Sequence, residues 1–157
     1  MNVCLKFLTV LFLAFTLTGC IGEDYDVGVP TAHLSLDDGN FFSKQLAEAN
    51  ISWSSSSGDV QQTIADIREF GLSQDEIRVS ANQKVFLDFK ENEENGGDIW
   101  TDPEITASLL KDGQKIELKM DDSREFRFPT NKGNYVLVVE YITSSGSAQY
   151  VGNVLIQ

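Results

Sequence analysis

Short runs in which apolar residues recur at every second position fill the second half of the chain. Val85 and Leu87 are spaced in this way, and so are Ile116 and Leu118. A period of two places side chains on one face of a β-strand. Residues 135–142 are apolar at nearly every position, which is expected of a central strand covered on both faces. The pattern predicts seven strands, at residues 77–80, 85–90, 105–110, 115–120, 124–128, 135–142 and 148–156.

The first half of the chain has a more mixed pattern. Residues 29–36 alternate between apolar and polar positions and predict a strand, and residues 51–53 predict a shorter one. Residues 41–49 are ambiguous, because apolar positions at helical spacing follow two aromatic residues. These strands are expected either to extend the second-half sheets or to belong to a separate small α/β subdomain.

Residues 59–71 carry the clearest helical pattern. Asp59 suits an N-cap, and Gln62 lies three residues later, as in a capping box. Ile64 belongs to an apolar stripe at helical spacing, and Gly71 suits a C-terminal residue in the left-handed conformation. The sequence therefore predicts one short helix that caps one end of the fold.

Seven short strands within roughly 80 residues favour an antiparallel β-sandwich. Residues 109–115 resemble the end of strand C of an immunoglobulin domain, where a core residue precedes a Lys-Asp-Gly turn. Residues 131–137 resemble the tyrosine corner before strand F. The resemblance implies a mainly β, immunoglobulin-like sandwich over residues 77–157, with extra N-terminal strands. It also implies that the Tyr135 hydroxyl bonds to the chain just upstream, and that Leu137 replaces a framework cysteine.

An apolar run precedes the first part of the chain that predicts strands. Residues 7–17 span about 11 residues, whereas a bilayer-crossing helix needs roughly 20. A cation, Lys6, precedes the run, and the sequence Leu17-Thr18-Gly19-Cys20 closes it. This arrangement resembles the signal peptide and lipobox of a bacterial lipoprotein. Such a signal peptide is removed on export.

The lipoprotein resemblance implies a domain plan and a location. Residues 1–19 are the cleaved signal peptide, residues 20–28 form a lipidated acidic tether, and residues 29–157 form a single domain. Acyl chains on Cys20 anchor the protein to the membrane. Ile21 is not the aspartate of the inner-membrane retention signal, so we expect the outer face of a Gram-positive membrane or a Gram-negative outer membrane. The alternative is cleavage at another site, with Cys20 incidental.

The net charge of the mature chain limits the kinds of partner that it is expected to bind. Residues 1–19 carry one charge, that of Lys6, so the mature chain keeps all 24 acidic and 11 of the 12 basic residues, a net charge of −13. Nucleic-acid phosphates attract basic surfaces, so no nucleic-acid partner is expected. In the simpler interpretation, this negative charge keeps the protein soluble. In the more specific interpretation, it forms a surface that binds cations or a basic partner.

Few residues of the mature chain are suited to catalysis. His33 is its one histidine and Cys20 its one cysteine, so a Cys/His dyad, a Ser-His-Asp triad or a zinc site of His and Cys cannot be assembled. Paired carboxylates of an envelope hydrolase remain a weaker alternative. We therefore predict that the protein is not an enzyme.

An acidic segment with two glycines, residues 91–98, is the best candidate ligand site. Calcium prefers oxygen ligands, and the candidate ligand-binding residues here are Glu91, Glu94, Asp98 and Asp102. Trp100 is an aromatic in a predicted loop and could contribute to a carbohydrate-binding surface. No EF-hand spacing is present, so the simpler interpretation is a solvated loop and no residue is assigned as a metal ligand.

These observations predict a lipid-anchored, non-enzymatic immunoglobulin-like module of the cell envelope. The acyl chains on Cys20 are expected to bind the membrane, and the domain itself is expected to bind a protein or a cell-wall component. The alternative is an ion- or carbohydrate-binding surface lipoprotein that uses residues 91–98 and Trp100.

Overall fold

The alternating runs form the strands of two β-sheets. The computed structural model describes residues 28–36, 42–55, 58–90 and 102–157, and nothing below concerns the structure of the others. All seven strands predicted in the second half are present, with ends that differ by a few residues. The elements in the described ranges are β1 (Thr31–Leu36), β2 (Phe42–Gln45), β3 (Ala47–Ser55), β4 (Gly58–Gln62), α1 (Ile67–Leu72), β5 (Glu76–Val79), β6 (Lys84–Lys90), β7 (Glu104–Lys111), β8 (Gln114–Leu118), β9 (Glu125–Arg127), β10 (Gly133–Thr143) and β11 (Gly146–Ile156).

The strands are divided between two sheets. Sheet A has the order β2-β1-β6-β9, and sheet B has the order β4-β3-β11-β10-β7-β8. The pairs along both orders are antiparallel, whereas β5 joins the second half of β11 in parallel. Strands β6 and β9 thus share one sheet, and β7, β10 and β11 share the other, as strands B and E and strands C, F and G do in an immunoglobulin sandwich. The mainly β sandwich predicted from the sequence is confirmed.

The N-terminal strands extend both sheets instead of forming a subdomain of their own. Strand β1 pairs with β6 over its whole length, from Thr31 opposite Lys90 to Leu36 opposite Val85. Strand β3 pairs with the first half of β11. The ambiguous residues 41–49 supply β2 and the start of β3, because a sheet edge is available for them on each layer.

One apolar core lies between the two sheets. Its fully buried side chains include Leu34 and Leu87 from sheet A, and Leu109 and Leu137 from sheet B. Leu109 and Leu137 are direct cross-strand partners. Apolar packing between β7 and β10 and across to sheet A therefore forms the centre of the sandwich.

Strand β10 is buried on both faces, as its continuous apolar sequence predicts. Leu137 and Val139 point into the core between the sheets. Val136 and Val138 point the other way and pack beneath α1, with Ile67 and Phe70 of that helix against them. The helix thus covers the outer face of sheet B instead of an end of the sandwich.

The predicted helix at residues 59–71 is wrong over most of its length. Residues 58–62 form β4, which pairs antiparallel with β3. The helix begins only after Asp66, whose carboxylate accepts a hydrogen bond from the backbone N–H of Glu69 at 2.9 Å. Asp59 instead accepts a bond from the Ser54 hydroxyl across the β3–β4 hairpin. Pairing with β3 therefore overrides the local helical pattern.

Gly71 has a different role from the predicted one. It lies inside α1 and is absent from the glycines with positive φ in the described residues. A Cβ atom at Gly71 would lie 2.3 Å from Cγ1 of Val136. The glycine is required because the helix backbone approaches β10 closely at this point.

The predicted tyrosine corner is present. The Tyr135 hydroxyl donates a hydrogen bond to the Asn131 carbonyl oxygen at 2.9 Å, four residues upstream. Nζ of Lys111 lies 4.8 Å from the centroid of the Tyr135 ring. Together these contacts hold the turn that leads from sheet A into β10, and we call this end of the sandwich the Asn131 end.

The opposite end of the sandwich is where the chain enters β1. The Tyr150 hydroxyl, from the core, donates a hydrogen bond to the Pro30 carbonyl oxygen. Thr31 lies opposite Lys90, so the segment 91–101 also departs from this end. We call it the Pro30 end.

Candidate ligand-binding groove

Of the residues proposed to bind a ligand, Asp102 lies in the described part of the chain. It is exposed just before β7 and lines a hollow together with Glu117, Asp121, Asp122 and Arg124. Glu91, Glu94, Asp98 and Trp100 lie outside the described residues, and so does Cys20. Asp102 is thus the one proposed ligand residue within the described ranges, and the structure places the acidic residues 121 and 122 beside it.

The hollow belongs to a longer groove along one edge of the sandwich. Strand β8 is the last strand of sheet B, and β9 is the last strand of sheet A. A hollow of about 610 Å³ on the Pro30 side adjoins another of about 520 Å³ on the Asn131 side. Both are lined by Glu117, Leu118 and Asp121, so they form one continuous feature, which we call the edge groove.

Partly buried apolar side chains form the floor of the edge groove. Ile105 on β7, Ile116 and Leu118 on β8, and Met120 just after β8 pack against the main core. Ile116 and Leu118 pair with Leu109 and Ala107, so their side chains lie on the core-facing side of sheet B. The groove therefore opens directly onto the hydrophobic core.

A tight turn builds the acidic wall of the groove. The Asp121 carboxylate accepts hydrogen bonds from the backbone N–H groups of Ser123 at 3.0 Å and Glu125 at 2.9 Å. Arg124 adopts a positive φ of 61° in this turn, and its guanidinium carbon lies 5.7 Å from the ring centroid of Phe89. Asp121 thus has a structural role, whereas Asp122 is exposed beside it.

The two ends of the groove differ in charge. Asp102, Asp121 and Asp122 line its Pro30 side. Lys84 and Arg127, which are cross-strand neighbours on β6 and β9, line its Asn131 side. Lys84 forms an ion pair with Glu125, and Nη1 of Arg127 donates to the Asn82 carbonyl oxygen at 3.1 Å. The Pro30 side of the groove is therefore acidic, whereas its Asn131 side carries basic and acidic side chains in equal number, because Glu117, Asp121 and Glu125 line it as well.

Within residues 28–36, 42–55, 58–90 and 102–157, no group of three or more His, Cys, Asp or Glu side chains is arranged to hold a metal ion. The calcium hypothesis depended mainly on residues 91–98, which lie outside those ranges. It therefore stays a prediction about that segment.

His33 lies on the outer face of β1, with Nε2 3.0 Å from the Thr31 hydroxyl oxygen. Partial burial lowers the pKa of His33, the nearby Lys90 lowers it further, and Asp88 opposes both. The Ser55 hydroxyl at the end of β3 donates a hydrogen bond to the carbonyl oxygen of Gly58, the first residue of β4, at 2.7 Å.

The aromatic residues are used mainly in the core. Trp53 and Tyr150 are buried, and Trp53 lies 6.2 Å from Tyr141 between ring centroids. Burial raises the pKa of the Tyr150 hydroxyl far above its usual value, so it remains a hydrogen-bond donor to Pro30. The link from Tyr150 to Pro30 joins residues 120 positions apart, and local sequence patterns give no signal for it.

Glu48 on β3 gives the stability of the domain a pH dependence. Burial raises the pKa of its carboxyl above the usual 4.5, so its negative charge destabilises the folded state at neutral pH. This destabilisation disappears as the pH falls through the raised value toward 4.5. We expect Glu48→Gln to raise the melting temperature at about pH 7 and to change it less at about pH 4. Thermal melts that shift equally at both pH values would contradict this.

No helix in the described residues is long and apolar enough to cross a membrane. No family model, no curated protein and no solved structure matches the chain. The assignment of function therefore depends on the residues and geometry described above.

Proposed function

We propose that the protein is a lipid-anchored lipoprotein of the bacterial cell envelope, and that its β-sandwich is a non-enzymatic binding module. The observation that carries the proposal is the sequence Leu17-Thr18-Gly19-Cys20, which follows an 11-residue apolar run and precedes the first strand by only ten residues. Two or three acyl chains on one cysteine meet the requirement of more than one signal for stable anchoring.

The fold supports the way in which such a tether would hold the domain. Residues 20–29 extend over at most about 35 Å, since an extended residue spans at most about 3.6 Å. The chain enters the sandwich at Pro30, whose carbonyl oxygen is held by Tyr150. The tether therefore joins the domain at the Pro30 end, which is opposite the Asn131 end.

Replacing Cys20 with serine in the full chain is expected to abolish the incorporation of labelled palmitate in a bacterial host. The protein should then leave the membrane fraction, because the acyl chains provide its membrane affinity. The matched control is Cys4→Ser, which removes the other cysteine of the chain and should leave labelling unchanged. Label that persists in Cys20→Ser, or is lost in Cys4→Ser, would contradict the proposed anchor.

Cation or carbohydrate binding is the second candidate function, and the acidic Pro30 side of the edge groove favours it. Asp102 connects this wall to the segment that was predicted to bind calcium. If the groove binds calcium, millimolar calcium raises the melting temperature of the full chain, because a ligand that binds the folded state stabilises it. Asp102→Asn should then reduce the shift. An unchanged melting temperature and the absence of heat in calorimetry would eliminate calcium.

A further inference from the structure

We propose that the edge groove binds an extended polypeptide segment of a partner, which pairs antiparallel with β8 and carries basic residues toward its N-terminus. The proposal rests on the proposed function, because it names the place where the binding module binds.

The first support is the free edge of β8. In the described part of the chain, β8 pairs with β7 alone, so one row of its backbone N–H and C=O groups faces outward. Such an edge is a template for an added strand, in which main-chain hydrogen bonds give affinity and alternate side chains give specificity. Across the gap, sheet A ends in the three-residue strand β9, which does not pair with β8 in the described ranges.

The second support is the apolar floor beneath that edge. Ile116 and Leu118 are two positions apart and face the core side of sheet B, so an added strand would place every second side chain over the groove. Burial of each such apolar side chain is worth about 1.5–3 kcal/mol. The exposed edge strand β4 lacks this arrangement, since all five of its residues are exposed and its one large apolar side chain is Val60.

The third support is the acidic Pro30 side of the groove, which selects the polarity of an antiparallel segment. Strand β8 runs from the Asn131 end to the Pro30 end, so an antiparallel segment begins beside Asp102 and Asp122. Basic residues near its N-terminus then meet opposite charges. In the same antiparallel direction, a segment with acidic residues near its N-terminus meets like charges there, which opposes binding.

A second copy of the chain is a poorer occupant. Antiparallel pairing of two β8 strands about Ile116 sets Lys115 opposite Glu117, which is favourable, but it directs the two Pro30 ends in opposite directions. The two tethers then leave the pair at opposite ends, so the two domains cannot both stand upright on one membrane. We therefore assign the groove to a segment of a different protein.

The test uses the full chain, purified in mild detergent, and two fluorescent peptides. The forward peptide is Lys-Lys-Val-Thr-Val-Thr-Val-Glu-Glu, and the reverse peptide exchanges its charged ends. In fluorescence anisotropy we expect the forward peptide to bind at least about tenfold more tightly, which corresponds to about 1.4 kcal/mol. Methylation of the alternate backbone nitrogens that face β8 should abolish its binding, because it removes the donors to the strand edge.

Variants of the protein locate the binding site. Asp122→Lys together with Arg127→Glu changes the sign of one exposed side chain on each side of the groove and should reduce the preference between the peptides, because Asp102 and Asp121 stay acidic. We call it the charge-reversed variant. Asp59→Lys on β4, at the opposite edge of sheet B, is the matched control and should leave it unchanged. Melting curves establish that each variant is folded.

Four results would overturn the proposal: no binding of the forward peptide, equal binding of both peptides, binding that survives methylation, or an unchanged preference in the charge-reversed variant. A concentration-dependent dimer that the charge-reversed variant dissociates would assign the groove to a second copy instead. Acylation of Cys20 is measured separately, so failure of peptide binding in a labelled protein removes this proposal and leaves the anchor in place.

Discussion

Leu137→Ala is expected to lower the free energy of unfolding by about 3 kcal/mol, within the range of about 2–5 kcal/mol observed for such truncations in protein cores. Leu137 is fully buried at the centre of β10 and faces Leu109 across the strand pair. Sheet A packs against one face of β10 and α1 against the other, so the neighbouring side chains can move little after the truncation. Most of the removed volume should therefore remain as a cavity.

Leu155→Ala provides the matched control for this measurement. It deletes the same atoms from a half-buried leucine near the end of β11, so we expect a loss below about 1 kcal/mol. Urea denaturation of both variants, followed by tryptophan fluorescence, gives the comparison through the midpoint and slope of each curve. Equal losses in the two variants would show that Leu137 is not a central core position.

Gly71→Ala is expected to destabilise the protein by about 2–3 kcal/mol, although this change normally stabilises a helix interior by about 0.5–1 kcal/mol. The reason is the contact between α1 and β10. An added Cβ atom would lie 2.3 Å from Cγ1 and 3.0 Å from Cγ2 of Val136. The helix would have to move away from the sheet, and the packing of Ile67 and Phe70 would loosen.

A double-mutant cycle separates this clash from a loss of helix propensity. Val136→Ala removes both methyl groups that obstruct the new Cβ atom, so Gly71→Ala should cost far less in that background than in the native chain. Denaturant titrations of the two single variants and the double variant provide the coupling energy. Additive losses would contradict the proposed clash and indicate that Gly71 serves another purpose.

The strands of the second half were predictable because their apolar spacing is local and their faces differ in burial. Val85 and Leu87 alternate with exposed neighbours, and that difference alone determines which face packs. The strand at residues 58–62 was not predictable, since the apolar positions from residue 60 onward satisfy a helical period while residues 58–62 pair with β3. The position of β3 in sheet B, beside the distant strand β11, decides between helix and strand there.

The candidate site was predictable in one residue and not in its geometry. Asp102 was selected because acidic residues are dense before it, and it does line a groove. The opposite wall comes from Asp122, twenty residues further along the chain, in a turn where Arg124 takes a positive φ. Neither that backbone conformation nor the gap between the last strands of two sheets has a local signature in the sequence.

Strand β11 also governs the order in which the chain can acquire its structure during synthesis. It pairs with β3 along its first half, with β5 along its second half and with β10 along its whole length. β11 leaves the ribosome after all three of these partners, so β3 and β5 have no sheet to join until translation has passed residue 146. Pairing across about 100 residues is slow to form. Sheet B therefore stays incomplete until β11 has been synthesised, whereas the strands of sheet A have all been made before β10 begins.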